Sequence, residues 1–285
     1  MVFCIMLILP VNISLIFLSG ENTKEEEGQE QALNSDLEWQ VLHELAAVIP
    51  VEYEAETLKA QAVILRTNIL ADTEENRERK SYPLLFSYRE EWGEQYEENC
   101  GKLFDAVTET KGMYLEKEKV LVRAAYFRLS NGHTRSGAEC FGGRFPEFSA
   151  KKCGSDLLSE EFLQKKEFGK NEFTAKLNKI TGTTHSFEEW KACEPVCKYD
   201  SAGYVLSLNM GETSVGGEVF RQTFGLPSSD FTLTFEEGGV KLVTRGVGIG
   251  IGFSQYGANE LAKEGQDFIQ LLNFFFTNIA ISKTE

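Results

Sequence analysis

Residues 244–265, TRGVGIGIGFSQYGANELAKEG, constrain the fold of this chain more than any other stretch. Gly246, Gly248, Gly250 and Gly252 alternate with apolar residues between a short strand pattern and an amphipathic helix pattern. Without a Cβ, and with positive φ open to it, glycine lets main chain run tightly against another segment or a ligand. Spacing two also occurs in plain tight strand packing, so the run by itself leaves both uses open. Ser254 is placed to cap the helix that follows.

The 285 residues carry a net charge of −15, which excludes nucleic acid as the main ligand because phosphate binding rests on clustered Lys and Arg. Hydrophobic residues make up 42% and include 21 Phe, enough for a substantial core in one large domain or two small ones.

Residues 1–18 are apolar apart from Asn12 and Ser14 and are followed at once by polar residues. Segment 1–19 reads as a membrane anchor or a cleaved signal peptide. Its length is just sufficient for a bilayer and no A-x-A site is evident, which favours the anchor. No Lys or Arg precedes the run, so the usual orientation cue is missing. Either reading puts the body on the extracytoplasmic side. Residues 20–36 form an acidic linker with little apolar content, a solvated tether. A single domain is expected over 37–285.

Leu37, Val41, Leu42 and Leu45 have helical spacing that Pro50 must end. Leu58, Ala62, Leu65 and Ile69 recur at i, i+4, i+7 and i+11, one apolar stripe of a second helix, with Lys59 and Arg66 pointing elsewhere. Lys119–Phe127 reads as a strand running into a polar loop over 130–137, and a helix is expected from Phe162 after Ser159-Glu160-Glu161. Residues 204–208 alternate as a strand, while 231–235 and 240–243 pair as a hairpin. This order predicts an α+β fold, a mostly antiparallel sheet with packed helices behind the N-terminal transmembrane or signal helix.

The words around the glycine run, GxGxGFSQYGANELAKEG, resemble the C-terminal signature of the stage II sporulation protein D family. Residues 49–67, IPVEYEAETLKAQAVILRT, resemble its N-terminal block, and 125–135, 145–153 and 220–231 match between them. The resemblance covers about Glu38 to Ile281. It implies an extracytoplasmic lytic transglycosylase of spore formers that cuts peptidoglycan glycan strands during engulfment. It further implies a mother-cell membrane location at the sporulation septum and stage II sporulation proteins P and M as partners. The chemistry needs one Glu, first as acid on the glycosidic oxygen and then as base, and no metal or cofactor.

Val48 occupies the position that the resemblance assigns to that Glu. Glu44 lies one turn earlier on the same helix face, about 6 Å away, and is the replacement acid to test; it is also an ordinary place for a surface charge. Glu52, Glu54 and Glu56 fit the negative start of a helix. Arg128 and Ile249 stand where the family has His. With Val48 lost as an acid, the alternative is a catalytically inactive glycan-binding scaffold. Lys59, Gln61, Arg66, Thr67, Arg128, Ser130, Gly132, Thr134, Ser254, Gln255 and Tyr256 keep family identities or chemistry, apart from Arg128, and are expected to line a glycan groove. Hydroxyls, amides and a ring are what a polysaccharide needs.

Cys100, Cys140, Cys153, Cys193 and Cys197 form no paired CxxC pattern, and their odd number leaves at least one thiol unpaired. His133, Cys140 and Cys153 are weak zinc candidates; free or structural cysteines are the favoured reading. His43 and His185 have no evident partner.

Overall fold

The helix over 55–74 is apolar on more sides than its one expected stripe requires, and this sets the architecture. The computed structural model describes residues 36–284. Helix α1 spans Asp36–Val48 and α2 spans Ala55–Glu74. Leu58, Ala62, Leu65 and Ile69 of α2 pack with Val41, Leu42 and Leu45 of α1 and with Leu103 and Val107 of α3, Tyr96–Glu109. A second stripe, Ala60, Val63 and Ile64, faces a different core with Phe253, Leu271 and Phe275. A helix buried on both faces must sit between layers. Each fully buried Leu or Ile there contributes about 1.5–3 kcal/mol of transfer free energy. Burial, rather than capping, holds α2: Glu54 at its start makes no side-chain cap bond.

The strands are β1 (Met113–Lys117), β2 (Val120–Leu121), β3 (Tyr126–Phe127), β4 (Leu163–Gly169), β5 (Val196–Tyr199), β6 (Val205–Met210), β7 (Thr213–Gly216), β8 (Phe231–Phe235), β9 (Gly239–Arg245), β10 (Phe253–Ser254) and β11 (Ala280–Lys283). They form small sheets ordered β11-β1-β2, β4-β9-β8 and β5-β6-β7, all antiparallel, and a parallel pair β10-β3. The later helices are α4 (Lys170–Thr181), α5 (Phe187–Ala192), α6 (Gly217–Phe224), α7 (Gln255–Lys263) and α8 (Phe268–Phe275). Phe173, Trp190, Phe220, Phe224 and Phe231 fill a third core under β4, β8 and β9. Helices with mostly antiparallel strands make this α+β, as expected.

Two expectations are corrected. The strand over 119–127 is two short pieces, and the helix from Phe162 is instead β4. Leu163–Gly169 pairs along its whole length with β9 and buries Phe168, so the sheet edge outweighs local helix signals. The hairpin of β8 with β9 forms as expected, with Phe235 opposite Val240. The anchor or signal segment falls outside the described residues, as does the acidic linker up to residue 35. Among the described residues, no helix is long and apolar enough to cross a membrane.

The glycine run threads beside the chain that carries β3. Leu129 and Val247 exchange main-chain hydrogen bonds at 3.0 and 2.7 Å, Arg135 N donates to Gly250 O at 2.7 Å, and Phe253 N donates to Ala125 O at 3.0 Å. At Gly252, φ is +85° and a Cβ would lie 2.1 Å from Ala125 O. The close approach is to protein main chain at Gly246 and Gly252, to Phe127 Cβ at Gly248 and to the Tyr204 ring at Gly250.

Candidate functional site

Glu44 and Val48 share the face of α1 that ends against the Gly252–α7 junction. Val48 is half-buried at the rim of the first core, and its carbonyl accepts a 2.9 Å hydrogen bond from Gln255 Nε2. Gln255 Nε2 also donates to Gln61 Oε1 at 3.1 Å, while Gln61 Nε2 is buried with no hydrogen-bond partner.

Glu44 points inward, 5% exposed, and lines an open cleft of about 510 Å³. Ile249, at the second position of an expected His, and Tyr126 line the same cleft, with Phe141, Phe145 and Phe148 as its apolar wall. The other wall is the segment after α2. From it Arg79 Nη2 donates to Glu44 Oε2 at 2.5 Å, and the Tyr82 hydroxyl also bonds to Glu44. Arg79 Nη1 bonds to Asp72, and Arg123 Nη1 to the other oxygen of Asp72. Asn68, one turn before Asp72 on α2, clamps Ala124 by donating to its carbonyl at 2.8 Å and accepting from its amide at 2.9 Å. The cleft thus rests on three elements fixed to one another.

Burial pushes the Glu44 carboxyl above the usual carboxylate range, with the Arg79 charge and the bonds from Arg79 and Tyr82 pulling the other way. Asp72 is held low: its burial is outweighed by Arg123 and Arg79. Tyr126 is raised by burial and then by Glu44. One carboxyl held toward protonation and a neighbour held ionised is the asymmetry that acid catalysis uses.

Arg128 and Tyr256 lie on a different surface from this cleft. The Arg128 guanidinium sits 5.4 Å over the Tyr53 ring and pairs with Glu161 at 2.7 Å, and Tyr256 N donates to Arg128 O at 3.0 Å. Burial raises Tyr53 to about 12, so its hydroxyl stays a donor across the physiological range. Arg128 and Tyr256 are half-buried, with the buried Tyr53 ring beneath the guanidinium, a cationic and aromatic group suited to a sugar face.

Seven expected groove residues are buried, each at most 2% exposed, with their polar groups, Gln61 Nε2 apart, taken up by protein partners. Arg66 donates to Glu38 through Nε at 2.8 Å and Nη2 at 2.6 Å, and to the carbonyl of Met113. Ser130 Oγ accepts from Gly132 N, and Thr134 Oγ1 donates to Ser149 O and accepts from Lys151 N. Ser254 Oγ donates to Asp156 at 2.9 Å and caps α7 by accepting from Gly257 N. Gln61 and Gln255 form the knot below Val48 described above. Thr67 is buried too, donating to Val63 O and accepting from Leu115 N. Lys59 is half-buried and paired with Glu56 at 2.7 Å and Glu109 at 2.6 Å.

Sequence reasoning missed Asp156, whose carboxylate accepts from Ser130 N and Ser254 Oγ and ties the 130 loop to α7. It also missed Arg79, Tyr82, Asp72 and Arg123. The signal was present: Arg77, Arg79 and Lys80 are a basic cluster in an acidic chain, and Asn68 and Asp72 are spaced i, i+4.

The zinc candidates do not converge. His133 is exposed; Cys140 donates to Asp200 and is pushed up to about 11 by burial; Cys153 is buried and pushed up to about 12. Among the described residues no group of three His, Cys, Asp or Glu could hold a metal ion, and the five cysteines are free.

A family model described as stage II sporulation protein matches residues 25–116, which include Glu44, Val48, Asp72, Arg79 and Tyr82. Stage II sporulation protein D of Bacillus amyloliquefaciens is 28% identical over 266 residues, covering 88% of this chain and 76% of the relative. The protein of the same name from Bacillus subtilis (strain 168) is 28% identical over 270 residues, with the same shares. The amidase enhancer of Bacillus subtilis is 25% identical over 82% of this chain and 39% of the relative.

Proposed function

From the premise that this chain is a relative of the stage II sporulation protein D family, we propose that it acts on the cell wall in sporulation by cutting peptidoglycan glycan strands, with Glu44 as acid and base. The observation that carries this reading is Glu44 itself, a buried carboxyl raised above its usual range on the wall of an open cleft, one turn from Val48. In the first step the Glu44 carboxyl gives its proton to the glycosidic oxygen, and the C1–O bond breaks with its electron pair going to that oxygen. The sugar's own C6 hydroxyl then attacks C1 and gives its proton back to Glu44, leaving a 1,6-anhydro end. Membrane anchoring, an extracytoplasmic location, and stage II sporulation proteins P and M as partners belong to the same proposal.

A second reading, a catalytically silent glycan-binding scaffold, is favoured by the Arg79–Glu44 pair, because a guanidinium at 2.5 Å favours the ionised carboxylate. In that case Arg128 and Tyr256 hold the glycan and position 48 no longer cuts.

Mass spectrometry of stem-free glycan strands incubated with the full-length protein separates the two. Anhydro ends made by the unaltered chain and reduced about 10²–10⁴-fold in Glu44→Gln support cleavage by Glu44. No anhydro ends, with the protein still pelleting on the strands, supports the scaffold.

A further inference from the structure

The acid proposed above has a conflict built into it. It must carry a proton, yet a cation touches it. The charges and titrating groups that act on Glu44 are Asp72 from α2, Arg79 and Tyr82 from the segment after α2, and Tyr126 from β3, while Glu78, Lys80 and Arg123 line the same cleft. The cation in contact with Glu44 is Arg79, and it is shared. The side chains run Glu44–Arg79–Asp72–Arg123–Glu75, each joined to the next. Within this row the cations are the more accessible members: the side chain of Glu44 is 7% exposed and that of Asp72 14%, against 22% for Arg79 and 33% for Arg123. An anion entering the cleft therefore meets the guanidinium groups before it meets Glu44. Arg123 Nε, moreover, is buried without a hydrogen-bond partner, so one donor of the row is unpaired beneath the surface.

Resting on the cleavage reading, we propose that Arg79 is an exchangeable positioning residue, and that a carboxylate carried by the substrate sugar, such as the lactyl group of muramic acid, takes its guanidinium away from Glu44. A planar guanidinium binds an incoming carboxylate through two parallel bonds, which compensates for the single contact it gives up. Glu44 is then a buried carboxyl without a counter-charge, the condition under which burial favours the protonated form. Its proton comes from solvent and goes on to the glycosidic oxygen. A sugar whose lactyl group is blocked as an amide leaves the Arg79–Glu44 pair intact, and the guanidinium goes on favouring the ionised carboxylate. Substrate selection and acid activation become one event at Arg79.

The test is a ¹³C titration of the Glu44 carboxyl in the full chain, its resonance identified by loss in Glu44→Gln. It is run without ligand, with N-acetylmuramic acid, and with N-acetylglucosamine, which lacks the carboxylate. The expected result is an upward move of the Glu44 midpoint by about 1–3 pH units with N-acetylmuramic acid and none with N-acetylglucosamine. Arg79→Gln should show the raised midpoint already without ligand, and Arg79→Lys, which keeps the charge, should not. An unmoved midpoint with N-acetylmuramic acid, or an unraised one in Arg79→Gln, overturns the proposal. Strand cleavage scored on the same samples keeps the two ideas apart. Anhydro products without the shift overturn the exchange alone; the shift without products supports the exchange and overturns cleavage.

Discussion

Gln255 Nε2 donates to the main-chain oxygen of Val48 at 2.9 Å, although 207 positions separate them. The first residue of α7 is thereby fastened to the last residue of α1, and through Gln61 to α2. Position 48 sits in the joint of three helices, and Gln61, a member of that joint, keeps a buried amide donor, Nε2, without an acceptor.

Val48→Glu is expected to create or raise glycan cleavage, since the main chain at 48 is already held in place by Gln255. Because Val48 is only half-buried, the stability cost should stay within about 1–2 kcal/mol. Anhydro-sugar ends counted by mass spectrometry check the gain. A folded Val48→Glu protein with no more product than the unaltered chain contradicts it.

The pair of Glu38 and Arg66 is buried, with side chains 3% and 0% exposed. Removing one partner leaves a charge without compensation, so Glu38→Gln should cost about 3–5 kcal/mol. Replacing both by apolar residues of similar size should cost less than the single change. Denaturant midpoints of the single and double variants decide this, and equal losses argue against it.

Gly252→Ala should abolish or severely impair folding, because φ is +85° and the new Cβ would meet Ala125 O at 2.1 Å. Gly101→Ala is the opposite case. It lies inside α3 with nothing within 4 Å of the added Cβ, so it should stabilise by about 0.5–1 kcal/mol. Thermal unfolding of both variants is the measurement.

Burial pushes Asp156 above the ordinary aspartate value of 3.8, against the bonds from Ser130. The folded state then binds the proton more tightly than the unfolded chain. Stability accordingly falls as pH rises from that value through the raised one, then levels off. Asp156→Asn should flatten this decline while keeping an acceptor for Ser130 N and Ser254 Oγ. Urea midpoints across the range test it, and identical slopes in the two proteins would count against the assignment.

Local signals were enough where one element's pattern met one environment. The hairpin of β8 and β9, the Ser254 cap and the stripe of Leu58, Ala62, Leu65 and Ile69 were legible because periodicity and turn chemistry act within a few residues. The second stripe of α2 was not, since Ala60, Val63 and Ile64 acquire meaning only when α8 and β10 arrive from nearly two hundred residues away. Nor was β4, whose seven residues are a strand because β9 offers them an edge.

The site divides in the same way. Residue identity along the chain determined that Val48 cannot transfer a proton, that Glu44 shares its helix face, and that the alternating glycines permit a close approach. Those follow from covalent chemistry and helical period. Only the tertiary structure decided that Arg66, Gln61, Ser130, Thr134, Ser254 and Gln255 are buried inside the frame, and that Arg79 reaches Glu44 across 35 positions. Burial and ion pairing are set by which surfaces meet, and no local pattern encodes the meeting of distant segments.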